Sequence, residues 1–462
     1  MRFYKLFAAA LCCTSLALFS CGGDDPKTEE PSTGPVVPGT PDEPTEQIKV
    51  YTPTESKEFL SNTATDFMKI FRAADHAETV HFCQNFGEEY GDLDFPDSFD
   101  VLDDDNPSFA PSVFFRNLLH GLKSANPARV NAAPMVYTYN INFSRFTGVY
   151  IPGRDAWIKK SDSKDIVFEF DLDGYACVLR AEASGGTTDK DIEVSDYDWD
   201  YNPSTGDWEE YEYTDLYKLS IPHTVKVSLT KGNSQMLTAT INSKIDFKNH
   251  NLSWDVYTKV ANIEAASKGN GVDSQVTETS SFIVGGKTLI TTNSQVNGNH
   301  LCNYDKINNS INGEDDDDYA ILAYLTDATS VMNVMDKVQI RANGKLNRQV
   351  IDAMDGYWDY YDYSRSEAEA ECKKACENLN KYITAKVYYN NAGTVQAEVR
   401  FQPEFDDWGY SGWDAWEYYI MPVLYFPADQ TTYTFEDYGA KGFGSVEDLW
   451  ESQLDNYERL WK

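Results

Sequence analysis

The chain reads as α+β. A large antiparallel β-meander forms a twisted open sheet or half-barrel, with a helical segment before it and an amphipathic helix at the end. Three observations predict this. From Asp165 to about Gln295, apolar and polar residues alternate with period two over several runs, as in strands with one face on a core and one in water. Turn-forming residues punctuate those runs at Asp173-Gly174, Lys231-Gly232-Asn233, Lys248-Asn249-His250-Asn251 and Gly285-Gly286, where tight hairpins need positive φ. The order is helices, then a long run of strands, then mixed elements, which separates α+β from a βαβ arrangement.

The N-terminus reads as an address. Arg2 and Lys5 precede an apolar stretch, Leu6 to Phe19, that is too short for an ordinary membrane span. Leu18-Phe19-Ser20-Cys21 resembles a bacterial lipobox, with a small residue directly before the acceptor Cys21; Phe19 departs from the usual small or aliphatic choice. Cys12 and Cys13 lack a small residue directly before them. The acidic run Gly22-Gly23-Asp24-Asp25-Pro26-Lys27-Thr28-Glu29-Glu30 resembles the export tag of surface lipoproteins in the Bacteroidota. That resemblance implies an outer-membrane, lipid-anchored, surface-exposed protein and no activity. Residues 1–20 are then a signal peptide and residues 21–50 a lipidated, disordered tether. Its Pro, Thr, Gly and Glu bury too little apolar surface to offset chain entropy.

Residues 51–462 read as one large domain: a helical part over 51–130, the meander over 131–345 and a mixed part over 346–462. Thr54 is placed to cap a helix whose Leu60, Ala64, Phe67, Phe71 and Ala74 share a face, continuing toward Phe86. An acidic loop spans Glu88 to Asn106, and a shorter helix is expected over Ser112–Lys123. Met135–Phe143 and Gly148–Ile151 open the strands. The meander is expected to break between Gly185 and Ser220. Strands are expected at Tyr319–Leu325 and Val334–Ile340, and a polar loop at Asn308–Asp318. Ser364 caps a helix over Arg365–Tyr382. A hairpin follows through Val387 and Val399 about a turn at Asn391–Gly393. Tyr418–Phe426 is a late strand, and Ser445–Trp461 a closing amphipathic helix.

Formal net charge is −35, which makes nucleic acid and anionic membrane surfaces poor partners. Cations and neutral polymers are compatible. Besides Cys21 the mature part holds Cys83, Cys177, Cys302, Cys372 and Cys376. Cys372 and Cys376 are one helical turn apart and read as a buried reduced pair, although a disulfide is permitted outside the cytoplasm.

Three stretches mix aspartate with aromatic rings: 196–213, Asp355–Tyr363 and Phe405–Tyr419. Rings stack on sugar faces with little entropy loss while carboxylates accept hydroxyl hydrogens. Trp199, Trp208, Tyr211, Trp358, Trp408, Trp413 and Trp416 are therefore the candidate glycan contacts. Asp196, Asp198, Asp200, Asn202 and Asp207 have the spacing of a calcium loop, but Tyr201 stands where a glycine makes the sharp turn. Catalytic signatures are absent: the six histidines form no HExxH, and no GxSxG elbow occurs. Ser161-Asp162-Ser163-Lys164 matches SxxK in letters, yet sits in a polar turn.

The resulting expectation is a non-enzymatic surface lipoprotein that binds a ligand, with glycan first. A half-barrel carrier for a lipid or other apolar ligand is the rival. A glycan hydrolase, needing two carboxylates across a cleft, is the third.

Overall fold

The computed structural model describes residues 46–79, 165–202, 207–306, 324–354, 358–407 and 415–439. It also describes short pieces at 81–82, 126–128, 135–143, 148–151 and 156–159 and a few single positions. Cys21 and the rest of 1–45, the Glu88–Asn106 loop, the Ser112–Lys123 helix, the Asn308–Asp318 loop and most of Ser445–Trp461 lie outside the described residues.

Nineteen strands form one hydrogen-bonded sheet among the described residues. The first seven are β1 (Asn126–Ala128), β2 (Met135–Asn142), β3 (Gly148–Ile151), β4 (Ala156–Lys159), β5 (Asp165–Leu172), β6 (Tyr175–Asn202) and β7 (Asp207–Lys231). The central strands are β8 (Ser234–Asp246), β9 (Asn251–Val260), β10 (Ile263–Val272), β11 (Gln275–Val284), β12 (Lys287–Gly298), β13 (Leu325–Val334) and β14 (Val338–Lys345). The last are β15 (Trp358–Asp359), β16 (Ile383–Tyr389), β17 (Val395–Asp407), β18 (Trp416–Phe426) and β19 (Thr431–Thr434).

From β5 to β14 each strand pairs antiparallel with the next in sequence. β14 then pairs with β16, which continues through β17 and β18 to β19. β15 adds to β18. Parallel pairing occurs where β3 meets β5 and β2 meets the outer half of β7. No pairing among the described residues joins the two ends, so the sheet is open.

Residues directly opposite in an antiparallel ladder share a face, so the register sorts the sheet into two. One face carries Ile166, Phe168, Phe170, Leu179, Val227, Leu237, Val338, Val387, Ala397 and Leu424. These lie in or against the two main cores. The other face carries Thr, Asn, Gln and Lys, and its side chains bond across strands. Thr279 donates to Asn293 at 3.1 Å, Asn297 to Asp327 at 2.6 Å and Gln339 to Asn333 at 2.7 Å. The apolar-in, polar-out reading holds.

Helices cover the apolar face. Helix α1 (Pro53–Ile70) starts two residues earlier than expected. Thr52, not Thr54, is the cap, with Glu55 closing a capping box and Pro53 in the first turn. It does not run unbroken toward Phe86. Phe71 leaves helical geometry at ψ 86°, and a 3₁₀ turn follows at Ala73–His76. Helix α2 spans Arg348–Met354, α3 Arg365–Tyr382 and α4 Phe435–Gly439. The Ser364 cap of α3 is present, reciprocated by Glu367. Cys372 and Cys376 are buried and unbridged, as the reduced-pair reading expects. Among the described residues no helix is long and apolar enough to cross a membrane.

Two expectations fail. The meander does not break between Gly185 and Ser220: β6 and β7 run on to residue 202 and from residue 207. Only a bulge at Ser184–Thr187 marks the place, with Gly185 and Gly186 at φ 82° and 89°. Val334–Ile340 is not one strand. Met335 and Asp336, both at φ 54°, turn the chain between β13 and β14. No Gly or Asn announces that turn, which is why periodicity misplaced it.

The two ends of the sheet differ. Asp173-Gly174, Gly232-Asn233, Ala261-Asn262, Gly285-Gly286, Met335-Asp336 and Asn390-Asn391 all make short connections at one end, here the turn end. At the opposite, loop end lie the connections 203–206, 247–250, 273–274, 299–324, 346–382 and 408–415, most of them longer although 273–274 is a two-residue turn.

Candidate functional site at the loop end of the sheet

The turn end is closed by the chain's own N-terminal segment. The buried Gln396 side chain accepts from the Tyr51 N–H at 2.7 Å and donates to the Lys49 carbonyl at 3.2 Å. Gly393 N–H donates to the Glu46 carbonyl at 2.7 Å. Phe59 stacks on Tyr389 at 4.4 Å, Lys337 donates to Asp66 at 2.7 Å, Phe71 meets Phe282 at 6.2 Å and Phe82 meets Phe170 at 6.5 Å. Lys337 and Lys69 hold the Asp66 carboxyl down at about 2. Residues 46–79, with Phe82 beyond them, thus cross the apolar face from β16 to β5 and occupy surface that an apolar ligand would need.

The loop end gathers the acidic and aromatic stretches. Strand β15 pairs Trp358 with Tyr418 and Asp359 with Glu417, which brings Trp358–Tyr363 against Trp416–Tyr419. The Tyr360 N–H donates to the Trp416 carbonyl at 3.2 Å, and the Asp359 carboxylate accepts from the Tyr361 N–H at 3.0 Å. That turn lifts Tyr361 out to 68% exposure, with the Tyr360 ring 4.1 Å from its centroid. Tyr363 is exposed beside it. On the polar face, Glu404 stands opposite Tyr419 and Asp406 opposite Glu417. Burial and then the carboxylates of Glu404, Asp406 and Glu417 push the Tyr419 hydroxyl up.

The candidates named from sequence separate here. Trp358 and Trp416 are 6% and 4% exposed, packed under α3 with Ala368, Cys372 and Leu379. The Arg365 guanidinium lies 5.6 Å from the Trp416 ring and 5.3 Å from Phe405. Neither tryptophan offers a free ring face, so both are corrected from ligand contacts to core. Period two alone does not tell which aromatic of a strand faces inward, and the helix that covers them is remote in sequence. Trp408 and Trp413 lie outside the described residues. Trp199, Trp208 and Tyr211 fall on the outer half of the β6–β7 hairpin, with Trp199 opposite Glu210, Tyr201 opposite Trp208 and Asp198 opposite Tyr211.

Asp196, Asp198, Asp200 and Asn202 occupy alternate positions of β6, and Asp207 opens β7 opposite Asn202. Residues 196–202 and 207 are therefore paired in an extended ladder. Alternate strand positions are about 6.5 Å apart, whereas the expected calcium loop curls its oxygens around one point. Among the described residues no group of three His, Cys, Asp or Glu side chains is arranged to hold a metal.

Sequence reasoning did not single out Tyr360, Tyr361 and Tyr363, although the stretch containing them was marked. It also missed a groove of about 750 Å3 lined by β8–β11 and the foot of the β6–β7 arm. Nothing in the alternation of a polar face reports where two strands diverge. Asp255 and Glu278 both line that groove. However, the register puts Asp255 opposite Lys268 and Glu278 opposite Gly269, on opposite faces. They are not a carboxylate pair across a cleft.

No family model matches the chain, and no curated protein matches it. Among solved structures, a porin-like protein from Bacteroides vulgatus shares 8% identity over 50% of this chain and 87% of its own, with a TM-score of 0.17. A score that low assigns neither fold nor function.

Proposed function

We propose that this chain is a lipid-anchored protein of the outer-membrane surface that binds glycan without chemical turnover. One observation carries the reading. All three aromatic–acidic stretches lie at the loop end of the sheet, while Glu46, where the tether joins the body, lies at the turn end. A tether from Cys21 would leave the loop end facing away from the membrane. There Tyr361 and Tyr363 offer ring faces, and Asp406 and Glu417 supply carboxylates nearby, the chemistry that grips a pyranose. The lipobox and acidic export tag support the anchor.

The carrier reading is weaker, because the N-terminal segment packs against two of the cores on the apolar face, through Ile48, Tyr51, Phe59 and Leu60 and through Phe82, and α3 covers a third. The test is a glycan array probed with the chain from residue 22 onward, with and without calcium. The reading expects retention on a defined glycan that is lost in Tyr361→Ala. Absence of binding to every glycan, together with lipid co-purifying in stoichiometric amount, would favour the carrier.

A further inference from the structure

The outer half of the β6–β7 hairpin joins the body at one level only. Strand β6 pairs with β5 as far as Glu182 opposite Asp165, and β7 pairs with β8 as far as Thr224 opposite Asn242. Beyond those points the two strands pair with each other, and β7 also takes up β2. Among the described residues, β2 and its neighbour β1 are the only further strands in this arm.

Both crossings are built to bend. The ladder passes from Ser184 opposite Thr224 to Thr187 opposite Pro222, so Gly185 and Gly186 stand against His223 alone. Their φ values of 82° and 89° suit glycine and few other residues, and a bulge is where a strand changes direction. Pro222 has no N–H to give the ladder. His223 spans the bend, its Nδ1 2.8 Å from the Gly185 carbonyl oxygen and its Nε2 3.4 Å from the Thr188 hydroxyl. The groove of about 750 Å3 lies beside the bend, lined there by Gly185, His223 and Thr224, and leaves the arm room to move.

Just beyond the bend, one side chain fastens the arm to the loop end. Lys190 of β6 reaches between Phe247, in the connection 247–250, and Tyr304, which follows β12. Its Nζ lies 5.2 Å from the first ring centroid and 5.1 Å from the second, and the two rings meet edge to face at 5.9 Å. Lys190 also donates to the Asp305 carboxylate at 3.0 Å. The Lys190 side chain is only 20% exposed. Its holders are anchored in turn: the Leu301 N–H donates to the Asp273 carbonyl at 3.0 Å, and Leu301 and Cys302 pack with Trp254 and Val276. Asp305 is 74% exposed, so the ion pair alone is weak, whereas ring faces attract an ammonium more strongly as water is excluded.

We propose that the outer half of β6–β7 is a hinged arm that pivots at Gly185–Gly186 and Pro222–His223 and is latched to the loop end by Lys190. With the latch closed the arm holds one position; with it open the arm exchanges with a second. The arm carries the stretch 196–213, so the latch sets where that stretch stands. Any effect on glycan binding rests on the function proposed above; the hinge and the latch do not.

The test is pulsed electron spin resonance between two nitroxide labels on the full chain, with Cys12, Cys13, Cys21 and Cys83 replaced by Ser and the buried cysteines left in place. One label sits at Lys287→Cys, at the turn-end start of β12. The other sits at Asp191→Cys, beyond the bend, or at Glu182→Cys, before it; all three positions are exposed. With the latch intact, each pair should give one narrow distance. Lys190→Met keeps the apolar stem and removes the ammonium. It should add a second distance population for the Asp191 label and leave the Glu182 label unchanged. Asp305→Asn, at a mostly exposed position, should add the same population to a smaller extent, and it decides the matter if Lys190→Met does not fold. The proposal is overturned if neither substitution changes the Asp191 distribution, if the Glu182 label shifts equally, or if the chain with its latch intact already shows the second population.

Discussion

The turn end and the loop end of this sheet are built from the same strands and both bury aromatic rings, yet the loop end sets Tyr361 and Tyr363 outside its buried Trp358 and Trp416. At the turn end rings are spent on packing: Phe59, Tyr51 and Tyr389 form one cluster, and Phe426, Tyr433 and Tyr438 another. The connections are as short as hairpins allow, and the chain's first described residues are stitched across them. At the loop end the connections lengthen, carboxylates accumulate and Tyr361 stands clear of the body. Each end has its own packed core, and the loop end adds exposed chemistry on its longer connections, where recognition residues generally lie.

Substitutions at the two ends should therefore differ in kind. Tyr389→Ala empties a fully buried ring site at the turn end and should cost about 3–5 kcal/mol in urea denaturation, the range for buried aromatic truncation. Gly269→Ala, in the sheet's centre, drives a methyl group into the Trp254 ring and to 2.4 Å from the Thr277 carbonyl. It should cost roughly 1–3 kcal/mol, visible as a lower Tm. Gln396→Ala leaves the Tyr51 N–H and Lys49 carbonyl without their partner. The cost should be about 1–2 kcal/mol, with faster proteolysis near residue 50. Unchanged proteolysis there would break the idea that this residue secures the chain's entry.

A smaller and signed effect belongs to Glu278. Burial raises its carboxyl against the opposing hydrogen bond donated by Ser267. A carboxyl whose folded pKa is raised favours folding when protonated, so that contribution is present below the unfolded pKa and lost as pH rises through the folded one. Glu278→Gln should therefore stabilise the protein at neutral pH and change little in acid, which denaturation at both pH values will read.

Much of the fold was legible, because a two-residue period reports which face of a strand is wet regardless of where the strand lies. The hairpins at Asp173-Gly174 and Gly285-Gly286 and the Ser364 cap were readable for the same local reason. Met335-Asp336 was not, since positive φ there rests on residues that do not advertise it. The site was less legible. The sequence marked Asp355–Tyr363 and Phe405–Tyr419, and β15 pairs Trp358–Asp359 with Glu417–Tyr418, but the named Trp358 is buried and the exposed ring is Tyr361, which the sequence did not single out. Which ring lies under α3 is decided by a helix that neither stretch contains. The groove depends on where β7 parts from β8, a property of pairing with β2 that no local pattern carries.

The central claim is that recognition belongs to the loop end. The turn end supplies a matched control in Tyr175, 53% exposed against 68% for Tyr361. Glycan retention should be measured side by side for Tyr361→Ala and Tyr175→Ala after equal Tm values are verified. The account predicts that Tyr361→Ala loses retention and Tyr175→Ala keeps it. Loss confined to Tyr175→Ala would contradict it.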